Sequence, residues 1–142
     1  MLFGKRERRI NRIMIVEDEP LVAFDNESML KDAGYVIVAT VDNYVDAATI
    51  IAREPLDLIL TDLSLAGEGS GLDVAKAAHA LGIPVLFVTG NCTAEAKALA
   101  VGCLAKPYSE RVLLGTLAAV DRHLQGQAPK RLPEELTLYA RA

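Results

Sequence analysis

The sequence predicts an α/β fold in which a doubly wound, parallel sheet of five strands lies between two layers of helices, a (βα)5 three-layer sandwich. Five short apolar runs, mostly rich in Val, Ile and Leu, alternate with segments of helical period. Strands that are apolar along their whole length and separated by helices belong to a parallel sheet covered on both faces. The 142 residues are 51% apolar, which is enough for one domain with its own core.

Each of the five apolar runs is too short for a helix and fits a buried strand. In chain order they cover residues 12–16, 35–40, 56–61, 84–88 and 102–105. The segments between and after them have the Ala, Leu, Glu and Lys content of helices. These predicted helices cover residues 21–33, 44–53, 72–81, 93–101 and 110–124.

The residues at the predicted helix ends support this assignment. Proline favours a first helical turn, glycine ends a helix, and Ser, Asp or Asn caps its beginning. Such residues stand at Pro20, Gly34, Asp42 or Asn43, Gly82 and Ser109. The fourth helix is short and Ala-rich with few bulky side chains, so we expect it to be mobile.

The tail contains the signals of a further helix start. Pro133 suits a first helical position, and two glutamates follow it in the first turn. An apolar stripe at helical spacing consists of Leu132, Leu136 and Tyr139. We expect a short sixth helix over residues 133–140 that docks on its own domain, on a second copy or on a partner; a frayed tail is the alternative.

The composition argues against a basic nucleic-acid coat protein and against a membrane protein. The net charge of −4 is not that of a basic coat protein, and no apolar run approaches the roughly 18 to 20 residues that a membrane-spanning helix needs. The charge is uneven, because residues 1–12 hold five basic residues and one acidic residue. We therefore expect a solvated basic arm over residues 1–11. One domain over 12–125 and a tail over 126–142 are expected to follow, in a cytoplasmic protein without a DNA-binding domain.

The two cysteines, Cys92 and Cys103, lie eleven residues apart with no nearby Cys or His to complete a zinc site. Two cysteines in a cytosolic chain of this size rarely form a disulfide. We expect both to be ordinary small hydrophobic residues.

Chemically capable side chains follow four of the predicted strands. They are Glu17-Asp18-Glu19 after the first strand, Asp62 after the third, Thr89-Gly90 after the fourth and Lys106-Pro107 after the fifth. Ligands of open parallel sheets bind at this edge, so we expect these side chains to meet. Three carboxylates repel one another unless cations lie among them, and Lys106 supplies only one charge. Oxygen ligands without His or thiolate favour Mg²⁺ as the remaining cation.

This series of residues resembles the signature of response-regulator receiver domains, which are CheY-like and have a flavodoxin-like fold. The resemblance covers about residues 12–125 and rests on Glu17-Asp18, Asp62, Thr89 and Lys106-Pro107-Tyr108. It implies that Asp62 accepts a phosphoryl group and that Mg²⁺ is bound by Asp18, by Glu17 through water and by the backbone carbonyl of Ser64. It also implies that Thr89 and Lys106 contact the phosphoryl oxygens, that Gly90 leaves their approach open, and that Pro107 follows a cis peptide bond.

The sequence departs from the usual receiver at three places. Cys103 stands three residues before the lysine, where most receivers have an aromatic residue, so the usual relay through Thr and Tyr cannot operate. The loop after Asp62 holds Gly67, Gly69 and Gly71 in place of a proline, which we expect to loosen it. The end of the fourth strand resembles the Phe-Ala-Thr-Gly motif of atypical single-domain receivers of alphaproteobacteria, with Val88 in place of Ala.

Three further residues have open roles. Asp25 interrupts a predicted apolar stripe of the first helix, formed by Val22, Met29 and Ala33. Either it reaches solvent or a neighbouring hydroxyl, or it belongs to the kinase-docking surface that the resemblance implies for this helix. We expect His79 and His123 to face solvent.

The leading hypothesis is a stand-alone phosphoacceptor that takes its phosphoryl group from a sensor histidine kinase or a histidine phosphotransfer protein. It would be a monomer or weak homodimer, act by protein binding or as a phosphate sink, and catalyse only its own phosphorylation and dephosphorylation. An aspartyl-phosphate phosphohydrolase would need an acid at Ser64, and a flavin module would need a Gly-, Ser- and Thr-rich loop after the first strand. A pseudo-receiver that binds partners without phosphorylation is opposed by the presence of Asp18, Asp62, Thr89 and Lys106.

Overall fold

The computed structural model describes residues 8–140, which form a three-layer α/β sandwich around a mostly parallel sheet. The strands are β1 (Arg12–Val16), β2 (Val36–Val41), β3 (Leu58–Thr61), β4 (Val85–Thr89), β5 (Gly102–Ala105) and β6 (Leu136–Leu138). The helices are α1 (Pro20–Asp32), α2 (Tyr44–Arg53), α3 (Gly71–Ala80) and α4 (Glu110–Leu124), with a 3₁₀ helix at Ala94–Ala98. The spatial order β2-β1-β3-β4-β5-β6 is doubly wound, so the predicted fold class is confirmed.

For the four α-helices that the structure contains, the predicted boundaries agree closely with the observed ones. Pro20 is the first residue of α1, and Gly34 follows its end with a φ of 95°, which side chains rarely adopt. Of the two candidates for the cap of α2, Asn43 is the cap, because its side chain accepts a hydrogen bond from the Asp46 N–H at 2.9 Å. Ser109 caps α4 by accepting from the Val112 N–H at 3.2 Å.

The core has two halves, one on each face of the sheet. Alternate residues of β1 point to opposite faces, so Ile13 and Ile15 belong to one half and Met14 and Val16 to the other. All four side chains are almost fully buried. The sheet is therefore fixed from both sides, and the ends of its strands are held in place.

The fourth predicted helix is not an α-helix. Within residues 93–101 the structure has only the 3₁₀ helix, whose one buried residue is Ala96. A short Ala-rich segment has too few apolar anchors to stabilise several α-helical turns.

The sixth predicted helix is wrong, because residues 136–138 form strand β6 antiparallel to β5. Leu136 pairs with Leu104, and the Tyr139 N–H donates to the Val101 carbonyl at 2.9 Å. Strand β5 would otherwise present an unpaired edge, and pairing there satisfies its backbone while burying Leu136 and Tyr139. The stripe does dock on its own domain, but as a strand, and Leu132 remains 43% exposed.

The expectation of two free cysteines is also wrong, because Cys92 and Cys103 form a disulfide. The chain crosses from β4 to the adjacent strand β5 between them, which brings their Cα atoms to 6.1 Å. That separation lies within the range that a disulfide can span.

The beginning of the described chain packs on the domain. Ile10 is buried, and its N–H donates to Asp121 of α4 at 2.9 Å. The guanidinium of Arg8 lies 4.0 Å from the ring centre of Tyr35. Residues 1–7 of the expected basic arm lie outside the described residues, whereas residues 8–11 are part of the folded domain. In the described part of the chain, no helix has the length and apolar character to cross a membrane.

Candidate functional site

The carboxyl ends of β1, β3, β4 and β5 bring the predicted site residues to one edge of the sheet. Val16 pairs with Thr61, so the next residues, Glu17 and Asp62, are neighbours. Thr89 pairs with Ala105, and the Lys106 N–H donates to the Thr89 carbonyl at 2.9 Å. The apolar strands fix this arrangement, since each functional side chain is at or directly after the end of a buried strand.

Lys106 connects the acids of the site. Its Nζ donates to Glu17 Oε1 at 2.7 Å and to Asp62 Oδ2 at 2.8 Å, and it lies 3.6 Å from Glu19 Oε1. The side chains of Glu17, Asp62 and Lys106 are 3%, 9% and 17% exposed, so these are poorly screened, charge-assisted hydrogen bonds. Burial alone would lower the pKa of Lys106, but its bonds to Asp62 and Glu17 outweigh burial and raise that pKa above its usual value.

Burial dominates the ionisation of Glu17. It raises the pKa of this carboxyl above its ordinary value, although the ammonium of Lys106 and the Glu19 N–H, which donates to Oε2 at 3.1 Å, oppose the shift. The negative charge of Asp62 adds to the increase. Glu17 therefore holds a proton more tightly than an exposed glutamate does.

Three carboxylates form a compact cluster of oxygen donors. One oxygen each of Glu17, Asp18 and Asp62 lies within 4.8 Å of the others, and Asp18 is the most exposed of the three. The single ammonium of Lys106 leaves this cluster with excess negative charge. A hard divalent cation fits such a donor set, because carboxylates without His or thiolate are its preferred ligands.

The two oxygens of Asp62 have different environments. Oδ2 accepts from Lys106, whereas Oδ1 accepts from the Ser64 N–H at 3.2 Å. The backbone of Gly71 lies against the backbone of Asp62, since a Cβ at Gly71 would be 1.9 Å from the Asp62 carbonyl oxygen. This glycine, which we expected to loosen the loop, instead permits the close approach of α3 to the strand end.

Thr89, Gly90 and Pro107 complete the edge of the site. Thr89 is 6% exposed at the end of β4. Gly90 is exposed, and a Cβ there would meet no atom within 4 Å, so the approach over this residue is open. The Lys106–Pro107 peptide bond is cis, as the resemblance implies.

Sequence reasoning missed one polar contact beside the site. The buried residues of α1 are Ala23, Asn26 and Leu30, so the core-facing stripe is shifted by one residue and Asp25 is exposed. The Tyr108 hydroxyl donates to Asn26 Oδ1 at 2.9 Å and joins α1 to the segment after β5. Asp25 and Asn26 are adjacent polar residues of α1, so the sequence does not indicate which of them lies on the core-facing side. The contact of Asn26 could therefore not be predicted.

The two histidines differ. His79 is exposed, as predicted. The prediction for His123 is wrong, because this residue is half-buried and its Nε2 lies 3.1 Å from the Tyr139 carbonyl oxygen. The strand β6, which the sequence did not indicate, leads the chain to this contact.

A mostly parallel α/β sheet that gathers acids, a threonine and a lysine at its carboxyl edge has the architecture of a receiver-type signalling domain. The chain belongs to the response regulator receiver domain family, whose model matches residues 13–118. Proteins of this family are signalling modules of two-component systems rather than classical enzymes.

The relatives fit the same family. The chain is 35% identical over 79 residues to the phyllosphere-induced regulator PhyR of Methylorubrum extorquens, covering 54% of this chain and 30% of the relative. Among solved structures, it is similar to a variant of the anti-anti-sigma factor PhyR from Bartonella quintana, with a TM-score of 0.70, 25% identity and coverage of 84% and 51% of the two chains. It is also similar to the signal receiver domain of a modulated diguanylate cyclase from Desulfovibrio desulfuricans G20, with a TM-score of 0.72, 26% identity and coverage of 82% and 97%. The chain thus spans less than a third of the curated PhyR relative.

Proposed function

We propose that this domain accepts a phosphoryl group on Asp62 from a phosphohistidine of a sensor histidine kinase or a histidine phosphotransfer protein. The observation that carries the proposal is the contact of Asp62 Oδ2 with Lys106 at 2.8 Å inside a cluster of three carboxylates, with Thr89 at the next strand end. A nucleophile, a charge-neutralising cation and a hydroxyl donor are the groups that phosphoryl transfer to a carboxylate requires.

The reaction is a displacement at phosphorus. A carboxylate oxygen of Asp62 forms the new O–P bond while the N–P bond of the donor breaks, and the donor imidazole leaves with the electron pair of that bond and takes up a proton. The oxygen bonded to the Ser64 N–H is not occupied by Lys106. It is the better placed of the two for attack, while Lys106 neutralises the other.

Mg²⁺ fits the cluster as the second positive charge. Asp18 and Asp62 would hold it directly, with Glu17 acting through water and the Ser64 backbone carbonyl as a further ligand. When bound, it neutralises charge on the transferring group and on the surrounding carboxylates.

The product changes the balance of charges at the site. An aspartyl phosphate adds about two negative charges beside Glu17 and Asp18. Lys106 then exchanges its bond to Asp62 for one to a phosphoryl oxygen, and the Thr89 hydroxyl donates to another. Movement of these two side chains is the switch that changes the surface for a partner protein.

We propose that this domain works as a response regulator in the cytoplasm, and its folded unit includes residue Ile10 and strand β6 in addition to the predicted range 12–125. It would signal by protein binding or act as a sink for phosphoryl groups. Protein-binding output is supported by the Bartonella quintana relative, whose description is that of an anti-anti-sigma factor.

Intact-mass measurement tests the phosphoacceptor. Wild type incubated with acetyl phosphate and Mg²⁺ should gain the mass of one phosphoryl group, and Asp62→Asn should gain none. Asp25→Asn is the matched control, because Asp25 is an exposed acid on α1. Phosphorylation of Asp62→Asn at the wild-type rate would reject the proposal.

A further inference from the structure

The disulfide lies between the two segments that carry the switch side chains. Cys92 follows Thr89 by three residues, and Cys103 precedes Lys106 by three residues on β5. A covalent bond therefore ties the loop after β4 to the strand that leads to the lysine.

Apart from the disulfide, few contacts hold the part of the chain that includes Cys92 and the 3₁₀ helix. Residues 90–95 are exposed, and the 3₁₀ helix that follows has no side-chain cap and only Ala96 buried. Leu99 and Ala100 pack partly on the core, so the second half has apolar anchors of its own. Segment 90–98 is thus anchored to the sheet mainly through Cys92 and Ala96.

We propose that Cys92–Cys103 is a reversible thiol–disulfide site, reduced by dithiols, that sets the mobility of segment 90–98. Its relevance to signalling rests on the proposed function, because this segment continues from Thr89. Disulfides of cytosolic proteins are usually transient or redox-sensing rather than structural, so the proposed cytoplasmic location favours a reversible bond.

The exposure of the two cysteines determines which of the two sulfur atoms a reductant attacks. Cys92 is exposed and Cys103 is completely buried, so a dithiol's thiolate attacks the sulfur of Cys92. The S–S bond breaks, and Cys103 leaves as a thiolate that takes up a proton. The second thiol of the reductant then attacks the mixed disulfide and releases Cys92 as a thiol. Overall the protein gains two electrons and two protons, and the dithiol becomes a cyclic disulfide.

Reduction should leave the sheet intact. Cys103 remains paired through its backbone between Phe87 of β4 and Thr137 of β6, and its thiol stays in the core as a small apolar group. Segment 90–98, by contrast, loses its covalent anchor. The expected change is local loosening, which hydrogen exchange measures directly.

The test uses the wild-type chain in two redox states. Alkylation and intact mass should count two thiols after dithiothreitol and none after subsequent treatment with oxidised glutathione. Amides of residues 90–98 should exchange roughly tenfold faster in the reduced protein. Peptides of α2 should exchange equally in both states and provide the internal reference.

Cys92→Ser is the matched variant, because it removes the bond at an exposed position and leaves Cys103 in the core. It should exchange like reduced wild type whether or not dithiothreitol is present. The proposal is overturned if wild type keeps two alkylatable thiols after oxidised glutathione, or if segment 90–98 exchanges equally in both states. Failure of Asp62 to become phosphorylated in either state would instead contradict the proposed function, since thiol counts and exchange do not depend on it.

Discussion

Lys106 Nζ lies 2.7 Å from Glu17 Oε1 while it also contacts Asp62, so one ammonium bridges two buried carboxylates at the carboxyl edge of the sheet. The same two carboxylates belong to the cluster that fits a divalent cation. Lysine and metal therefore compete for these oxygens, and phosphorylation would give the lysine a new partner.

Lys106→Met should bind Mg²⁺ more tightly than wild type, because the competing ammonium is removed from two of the carboxylates. We expect a decrease in Kd of up to about tenfold, equivalent to about 1.4 kcal/mol, by titration calorimetry. The variant should also lose the NMR shifts that phosphorylation causes in wild type. Lys76→Met, at an exposed position of α3, is the control, and weaker Mg²⁺ binding by Lys106→Met would contradict the competition.

The affinity for Mg²⁺ should fall as the pH is lowered. Burial raises the pKa of Glu17, so its proton competes with the metal at a higher pH than for an exposed glutamate. The same shift also affects folding. Because the folded-state pKa of Glu17 is raised, the contribution of this residue to the free energy of unfolding is present below its ordinary pKa and is lost as the pH rises through the raised value. Metal titrations from about pH 7.5 to about pH 5 should show a steeper loss of affinity for wild type than for Glu17→Gln. Parallel pH profiles would show that Glu17 does not assist the metal.

In the oxidised protein, Mg²⁺ together with a phosphoryl analogue should slow amide exchange over residues 89–101. Thr89 at the head of this segment gains a hydrogen-bond partner only when the ligand is present, and ordering it restrains the residues that follow. Hydrogen exchange read by mass spectrometry gives the measurement. Equal protection with and without the analogue would reject an ordering switch.

Asp121→Ala should lower the free energy of unfolding by about 2 kcal/mol, since a buried donor without a partner costs about 1 to 3 kcal/mol. The carboxylate of Asp121 accepts from the backbone N–H groups of Arg9 and Ile10, at 3.1 Å and 2.9 Å. Urea unfolding measures the change, and Asp32→Ala, at an exposed position of α1, serves as the control. A loss equal to that of the control would show that the chain before β1 contributes little to stability.

Leu136→Ala should destabilise the domain by about 2 to 3 kcal/mol, because it removes a buried side chain of β6 from the core. Leu132→Ala, in the same tail but 43% exposed, should cost less than about 0.5 kcal/mol. Truncation after Gln125 would in addition uncover the edge of β5 and favour self-association, which light scattering detects. Equal melting temperatures for the two leucine variants would mean that the tail is not docked in solution.

The parts of the fold that could be predicted depend on local patterns. Apolar runs such as Arg12–Val16 identify strands by themselves, and the rule that parallel strand ends converge then places Glu17 beside Asp62. Strand β6 could not be predicted in this way. The proline and glutamates before Leu136 are equally compatible with a helix start, and the pairing is decided by the free edge of β5, which is distant in sequence.

The disulfide and the inner face of α1 were missed for different reasons. The spacing of Cys92 and Cys103 carries no pairing signal, because only the adjacency of β4 and β5 brings them together. In α1, Leu21 and Phe24 are 80% and 70% exposed, so hydrophobicity did not indicate the side that faces the core.

The antiparallel strand β6 also offers an external position from which β5 can be observed. Thr137 is exposed, and in the ladder it lies directly opposite Cys103, whose own side chain is out of contact with solvent. A spectroscopic reporter at Thr137 would sense shifts of β5 through their shared backbone pairing. It would do so without altering the acidic edge or the sulfur atoms.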